Sequence, residues 1–528
     1  MNEFVGIDFY RALFCPFVSS IYDDGASLES RDVLNFFNEV RDARYFDRRH
    51  DDVPRYPNNR YYRYEDAENL LAGKLHEWSI LIYDGFDPAK NPMSFLIYLQ
   101  AILLGVLVWA AGLLFVPSFV IDPYEYPKAL FFIVTVGLLT IVSLAHWFLV
   151  ERDFSWRNVP LEVKLLFGVV AAQCLAFLFS TDHFHSLLGA PYRFQGLIAQ
   201  LTIAVYFLNV VYIFRHLPST FQRRFFCFVV GAAVASALLS LTPFIFADSF
   251  FVLGSFHNRI YGALGNPNYL AIYLAALIPF LGLFFRSKSR VVQGVVLVSG
   301  VMLLGVLFLT GSRSAWVSLL FGLFFVSVLV VWKKRAFRML ALILSVLALI
   351  AGVFFFQRLY ETKFLHRLSL TKDNVGSVMT RVYLQEAGFK LFLERPVFGT
   401  GQEMVMTHIE PYLPEYLKVN RVFYIDRTHN EFLDILVMQG LVGFLAYMVF
   451  WGVLVWRAVK HYVHSSGLCD DVFFEQTFLF SLVAVVNIHA NYAMNFSVIS
   501  ANILLYLFAG YLVATQDRHE FANKTPTL

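Results

Sequence analysis

From residue 95 almost to the C-terminus, apolar residues come in long runs separated by short polar stretches. A helix needs about 20 mostly apolar residues to cross the hydrocarbon core of a bilayer. On that rule spans are predicted at 95–116, 128–149, 161–180, 197–214, 225–246, 269–285, 292–309, 315–332, 338–356, 431–457, 475–495 and 498–515. The expected fold is therefore an all-α polytopic membrane protein of about twelve transmembrane helices. Residues 357–428 break the rhythm as one long loop between spans nine and ten, and loops of that length are often functional. Within it, RVYLQEAGFKLFLE (Arg381 to Glu394) predicts a short helix stopped by Pro396, with Leu384, Leu391 and Phe392 near one face, suited to lie on the membrane surface. Residues 1–94 are polar and predict two helices, SLESRDVLNFFNEVRDARYF and YEDAENLLAGKLHEWSILIY, in a small cytoplasmic docking or regulatory segment. The expected organisation is thus a head (1–94), spans one to nine (95–356), the long loop (357–428), spans ten to twelve (429–515) and a cytoplasmic tail (516–528).

Composition agrees with the pattern. The 528 residues are 58% hydrophobic and 15% charged, against about 25% charged in soluble domains. The net charge of +3 hides an uneven split. Residues 1–94 hold 11 Lys+Arg against 17 Asp+Glu, and the remainder holds 31 against 22. Cys15, Cys174, Cys227 and Cys469 have no metal-ligand spacing and suggest no disulfide framework. Met1 to Arg11 carries acids and lacks a long apolar core, so no cleavable signal peptide is expected. Nothing in the pattern points to nucleic acid.

Short loops set the expected orientation. ERDFSWRNVPLEVK, RHLPSTFQRR, RSKSR, KKRAFR and RAVKHYVH are basic and fall on one side if the spans alternate, which makes that side the cytoplasm. Both termini are expected there. The other side then carries arginines that run against this trend: Arg193 in YRFQG, Arg259 in NRIYGALGNPN, Arg313 in GSRSAW and Arg381 in the loop helix. A single external arginine is ordinarily a solvated charge or a headgroup contact. Several suit a diphosphate, because guanidinium stays charged and binds phosphate oxygens in bidentate fashion. No Asp-x-Asp or Glu-x-Asp pair occurs in an external loop, which favours neutralisation by arginine without a metal; no cofactor is expected.

The tenth span opens DRTHNEFLD. Thr428 and Glu431 have capping-box spacing, which puts His429 in the first helical turn, where the helix dipole disfavours imidazolium. A neutral imidazole there is fit to act as a general base. The alternative is an interfacial histidine bonded to a backbone carbonyl. A second histidine, His489, with Asn487, Asn491 and Asn495, lies toward the outer end of span eleven. These residues suit either sugar contacts, with Asn430, or hydrogen bonding between helices. Asp434 falls off the face of His429 and is not paired with it.

HNEFLDILVMQGLVG, a His-Asn followed after nine residues by Gly and after two more by Gly, resembles the signature of the bacterial O-antigen ligase and polymerase superfamily. GNPNYLAIYL, GSRSAW and RVYLQEAGFKLFLERPVFGTGQE are similar to that family's shared segments in the same order, and the resemblance covers roughly residues 180–515. It implies a membrane-embedded C-type glycosyltransferase of the inner membrane. Such enzymes take a glycan from an undecaprenyl diphosphate carrier on the outer face, with His429 as the essential histidine and with arginines that by position are Arg313, between spans seven and eight, and Arg381, in the long loop. Arg193 and Arg259 carry over less directly. The acceptor hydroxyl stays open among a lipid-A core, another glycan repeat and a protein Ser or Thr. The rival of another class is a solute transporter, which typically puts polar or broken helices at the midplane in two related halves. Here the polar residues concentrate on one face and no repeat is evident.

Overall fold

The computed structural model describes residues 92–117, 122–150, 155–245, 255–256, 259–285, 287–333, 372–415, 418, 425–464 and 472–524. The helices expected in the head and the ninth span (338–356) lie outside the described residues. The rest is all-α. Long helices are α1 Pro92–Leu113, α2 Glu125–Val150, α3 Leu161–Leu178, α5 Leu197–His216, α6 Ser219–Ile245, α7 Pro267–Leu277, α8 Arg290–Leu309, α9 Arg313–Lys333, α10 Lys372–Glu394, α12 Glu431–His464, α13 Val472–Tyr492 and α14 Ile499–Lys524. Two short ones, α4 His183–Leu188 and α11 Val405–His408, sit in loops, and Ser255–Phe256 pairs with Arg259–Ile260 as a two-stranded ribbon (β1, β2). Eleven helices, all but α4, α10 and α11, are long and apolar enough to cross a membrane, with α7 continuing in 3-10 form to Phe284.

The chain forms two compact units. One comprises Met1–Phe95 and Ser287–Gly294, where the Gln293 amide donates to the Ser287 carbonyl at the start of α8. The other, Leu96–Arg286 and Val295–Leu528, holds the bundle. Its central helix is α14, whose residues from Ile499 to Ala514 are almost all fully buried. It packs on α5 and α13, while α3 lies on α12 and α9 on α13. Leu138, Ile141, Phe148, Val298, Val301 and Leu445 face outward, as lipid-facing residues must in a bundle of apolar helices.

α10 begins at Lys372, nine residues before the start predicted from sequence. It buries Leu384, Ala387 and Leu391 against Val405, Ile409, Leu413, Val437 and Met438. The long loop is therefore anchored by a core of its own.

α12 departs from expectation. Its 34 residues would run to about 51 Å, against a hydrocarbon core of about 30 Å. The helix breaks at Gly440 (φ 64°, ψ −168°) into 431–439 and 441–464. A break in lipid leaves polar backbone groups that must find partners. The segment after α10 supplies them. Leu441 N–H donates to the Pro396 carbonyl at 2.7 Å and Val442 N–H to Val397 at 3.2 Å, while Thr400 and Gly401 N–H donate to the Val437 and Met438 carbonyls, both at 2.9 Å. Gly440 is required twice over. Its φ is left-handed, and a Cβ there would strike the Val397 carbonyl. His429 thus sits before a short helix that is braced against the loop, and the membrane span proper follows the break.

Gly440→Ala is expected to lower the melting temperature in detergent, since left-handed strain alone costs roughly 1–2 kcal/mol and the clash adds to it. Gly452→Ala is the control: nothing lies within 4 Å of its Cβ, so its melting temperature should hold or rise. Equal behaviour of the two variants would contradict the account of the break.

Candidate functional site

Loops from all over the chain meet at one end of the bundle, the end holding the N-termini of α2, α5, α7, α9 and α12 and the C-terminus of α13. Each local sequence explains its own turn. In NRIYGALGNPN, Asn266 caps α7 by accepting the Asn268 N–H at 2.8 Å, and Pro267 occupies the first turn, where its missing N–H costs nothing. Asn268 is thereby placed to accept from Arg259 Nη2 at 2.9 Å, while Arg259 Nε donates to the Thr310 carbonyl at 2.6 Å. Lys128, almost fully buried, donates to the Ala263 carbonyl at 3.0 Å and holds the same loop from α2. In GSRSAW, Ser314 receives Asn495 Nδ2 at 2.7 Å and Asn491 Nδ2 at 3.5 Å, which ties the start of α9, and so Arg313, to the end of α13. Gly388 lets α10 lie against the Thr428 methyl, directly before His429.

Arg259, Arg313 and Arg381 converge. Burial and then the charges of Arg381 and Arg313 bring the Arg259 pKa down to about 10. Burial and then Arg313 lower that of Arg381. Among the described residues no carboxylate is ion-paired with any of the three, and Arg313 and Arg381 make no side-chain hydrogen bond. Three half-buried guanidinium groups thus lie near one another without an ion-paired counter-charge among the described residues, an arrangement whose chemistry suits an anion.

His429 adjoins them. Burial and then the Arg381 charge lower its pKa from 6.5 to about 4; Asp426 opposes this and Arg193 adds to it. The expected cause was a helix dipole, and the structure corrects that. Glu431 is the first helical residue, and the Asn430 side chain caps the helix by accepting the Phe432 and Leu433 N–H groups at 3.1 and 3.3 Å. His429 lies outside the helix at φ 60°. Its ring packs on Phe496 with centroids 5.2 Å apart, and its buried Nδ1 has no hydrogen-bond partner.

Arg193 differs from the other three arginines. It is buried, ion-paired with Asp426, and lies 4.2 Å over the same Phe496 ring. His489 has both ring nitrogens engaged inside the bundle, by Val485 O at 2.8 Å and Tyr447 Oη at 3.2 Å. Asn491, buried, bonds to Ser314 and Asn495. Both make helix-to-helix bonds, to Tyr447 and to Ser314. Asp434 does reach the histidine loop: its Oδ1 accepts the Thr428 N–H at 2.8 Å.

Sequence reasoning missed the supports. Arg427 and Glu403 form a fully buried ion pair beneath the loop, and Glu431 Oε2 accepts the Ser497 N–H at 2.7 Å. Among the described residues, the non-glycine residues with left-handed backbone are Phe194, Glu403 and His429. Phe194 follows Arg193, Glu403 pairs with Arg427 and His429 is the histidine of the motif, and strain of that kind persists only where the surroundings enforce it. Asp426 and Arg427 abut the histidine motif in sequence and Glu403 ends the segment RVYLQEAGFKLFLERPVFGTGQE, so adjacency was an available signal; Phe496 had none. Among the described residues no three of His, Cys, Asp and Glu gather as a metal site.

Residues 298–448 match a family model described as O-antigen ligase. That stretch contains Arg313, Arg381, His429, Asn430 and the break at Gly440, while Arg193, Arg259, His489 and Asn491 lie outside it. No curated protein matches the chain.

The His429 pKa has a consequence for stability. In the unfolded chain the ring titrates near 6.5, above its folded value of about 4. As pH falls the unfolded state takes the proton first, so stability is complete above about pH 6.5 and drains as pH falls toward 4. Compared with His429→Gln, wild-type protein should lose melting temperature between pH 7 and pH 4.5. A difference between the two that stays constant across this window would show that the ring is not held neutral.

Proposed function

We propose that this chain, a member of the O-antigen ligase and polymerase superfamily, transfers a glycan from a polyprenyl diphosphate carrier to an acceptor hydroxyl at the outer face of the cytoplasmic membrane. The family makes it a glycosyltransferase-type enzyme of a membrane; donor, orientation and residue roles are our own reading. The observation that carries it is the meeting of Arg259, Arg313 and Arg381, without ion-paired carboxylates among the described residues, beside the unbonded imidazole of His429.

The acceptor oxygen attacks the anomeric carbon, and the bond from that carbon to the diphosphate oxygen breaks. The acceptor proton passes to His429, which is neutral and able to receive it. Negative charge grows on the departing polyprenyl diphosphate, where the guanidinium groups stabilise it. Attack opposite to departure inverts the anomeric centre. The arginines supply the charge that a metal supplies in other lipid-dependent transferases, and no cofactor takes part. The basic loops at the opposite end, near which Arg215, Lys333 and Arg457 pair with Asp517, Glu475 and Glu162, support reading that end as cytoplasmic, by the excess of Lys and Arg in cytoplasmic loops, and the site as external. The grouping of charge at one end, rather than at the midplane, supports chemistry over transport.

His429→Ala should abolish transfer while membrane insertion and yield stay normal, measured as polymer or ligated product in membranes. Arg381→Lys should lower transfer by roughly 10–100-fold, because an ammonium ion cannot reproduce bidentate phosphate contact. Wild-type rates in either variant would remove that residue from the mechanism.

A further inference from the structure

The four arginines expected to share one task fall into two groups, and His429 stands between them. On one side are Arg259, Arg313 and Arg381, which repel one another and lack carboxylate partners among the described residues. On the other is Arg193, whose charge is offset by Asp426. A diphosphate gains from the first group. It gains little from the second, because Asp426 repels it. We infer that the ledge formed by Arg193, Asp426 and Phe496 binds the acceptor, and that the acceptor group it takes is a sugar ring carrying free hydroxyls. The proposal rests on the transferase reading above and adds the second substrate to it.

Three features fit a saccharide. First, Arg193 is nine-tenths buried, yet its Nη1 has no hydrogen-bond partner. An unsatisfied buried donor is costly and calls for an acceptor, which a sugar hydroxyl oxygen supplies. Second, Asp426 lies mostly buried beside it, and a carboxylate readily accepts hydrogen bonds from hydroxyl groups. A pair of opposite charges offers both donor and acceptor to a neutral polyol without favouring an ion. Third, the two aromatic rings Tyr192 and Phe496 flank the guanidinium at 6.0 and 4.2 Å, giving the apolar surface that a sugar's C–H face covers. Gln195, two residues on and fully buried, also has both amide atoms without partners. The Phe496 ring touches the His429 ring as well, so a sugar held on this ledge lies next to the base that must take its proton.

The test separates acceptor binding from donor binding and from the chemistry. Purified full-length wild type, Asp426→Asn and Arg381→Ala are compared in three measurements. These are affinity for undecaprenyl diphosphate, hydrolysis of the lipid-linked glycan donor by water, and glycan transfer in membranes of the producing strain. Water needs the base and the arginine triad but no ledge. Asp426→Asn is expected to keep undecaprenyl diphosphate affinity within twofold, while transfer falls at least tenfold further than donor hydrolysis, which weakens only as far as the base loses the nearby negative charge. Arg381→Ala should lose affinity, hydrolysis and transfer together. Loss of undecaprenyl diphosphate affinity in Asp426→Asn would put the pair in the donor site and overturn the inference. Hydrolysis falling in step with transfer would reduce the pair to structural support, and unchanged transfer would remove it from the reaction; both also overturn it. Failure of the transferase reading shows differently, as the absence of both donor hydrolysis and glycan transfer in the wild type.

Discussion

Three guanidinium groups, on a ribbon, a helix start and a loop helix, are held close enough to repel one another. That arrangement opposes folding and has to be imposed by the rest of the molecule. The imposition is visible in every loop at this end. Arg259 is fixed by Thr310 and Asn268, and its loop is fixed by the buried Lys128. Arg313 precedes a serine, Ser314, that is bonded to Asn491 of α13 and to Asn495 just beyond it. Arg381 rides on a helix with a hydrophobic core of its own. Groups assembled at such a cost make sense as a preorganised partner for charge that arrives with a substrate.

The histidine depends on the same scaffold. It occupies a left-handed residue between the buried Arg427–Glu403 pair and the helix cap at Asn430. Asp434 pins the preceding amide and Phe496 supports the ring. The break at Gly440 belongs to this design, because it turns the first part of α12 into a bracket braced against 396–401. The two glycines of the His-Asn motif read accordingly. Gly440 makes the break, and a Cβ on Gly443 would strike Gln439 at the end of that bracket. The histidine loop and the break at Gly440 are therefore held by contacts of the same short helical bracket.

Most of the fold was legible in the sequence because crossing a membrane demands long apolar runs, and eleven of the predicted spans are helices of that kind. The Lys/Arg contrast between loops also separated Arg193, Arg259, Arg313 and Arg381 from ordinary surface charge. What the sequence concealed depends on contacts across the bundle. The capping box at Thr428 and Glu431 has the right spacing, yet Asn430 caps the helix, since Glu431 is turned toward Ser497. The difference between Arg193 and the other arginines is set by Asp426, 233 residues away. The engagement of His489 by Tyr447 needed the packing of α12 on α13.

The central claim is that the arginine triad is assembled against its own repulsion and awaits an anion. The direct measurement is the melting temperature of the purified protein for wild type and Arg381→Met, with and without pyrophosphate at constant ionic strength. Removing one repelling charge and leaving a side chain of similar size should raise the melting temperature without ligand. It should also erase the gain that pyrophosphate gives the wild type by binding the folded state. A lower melting temperature for Arg381→Met without ligand, together with an undiminished gain from pyrophosphate, would contradict the account.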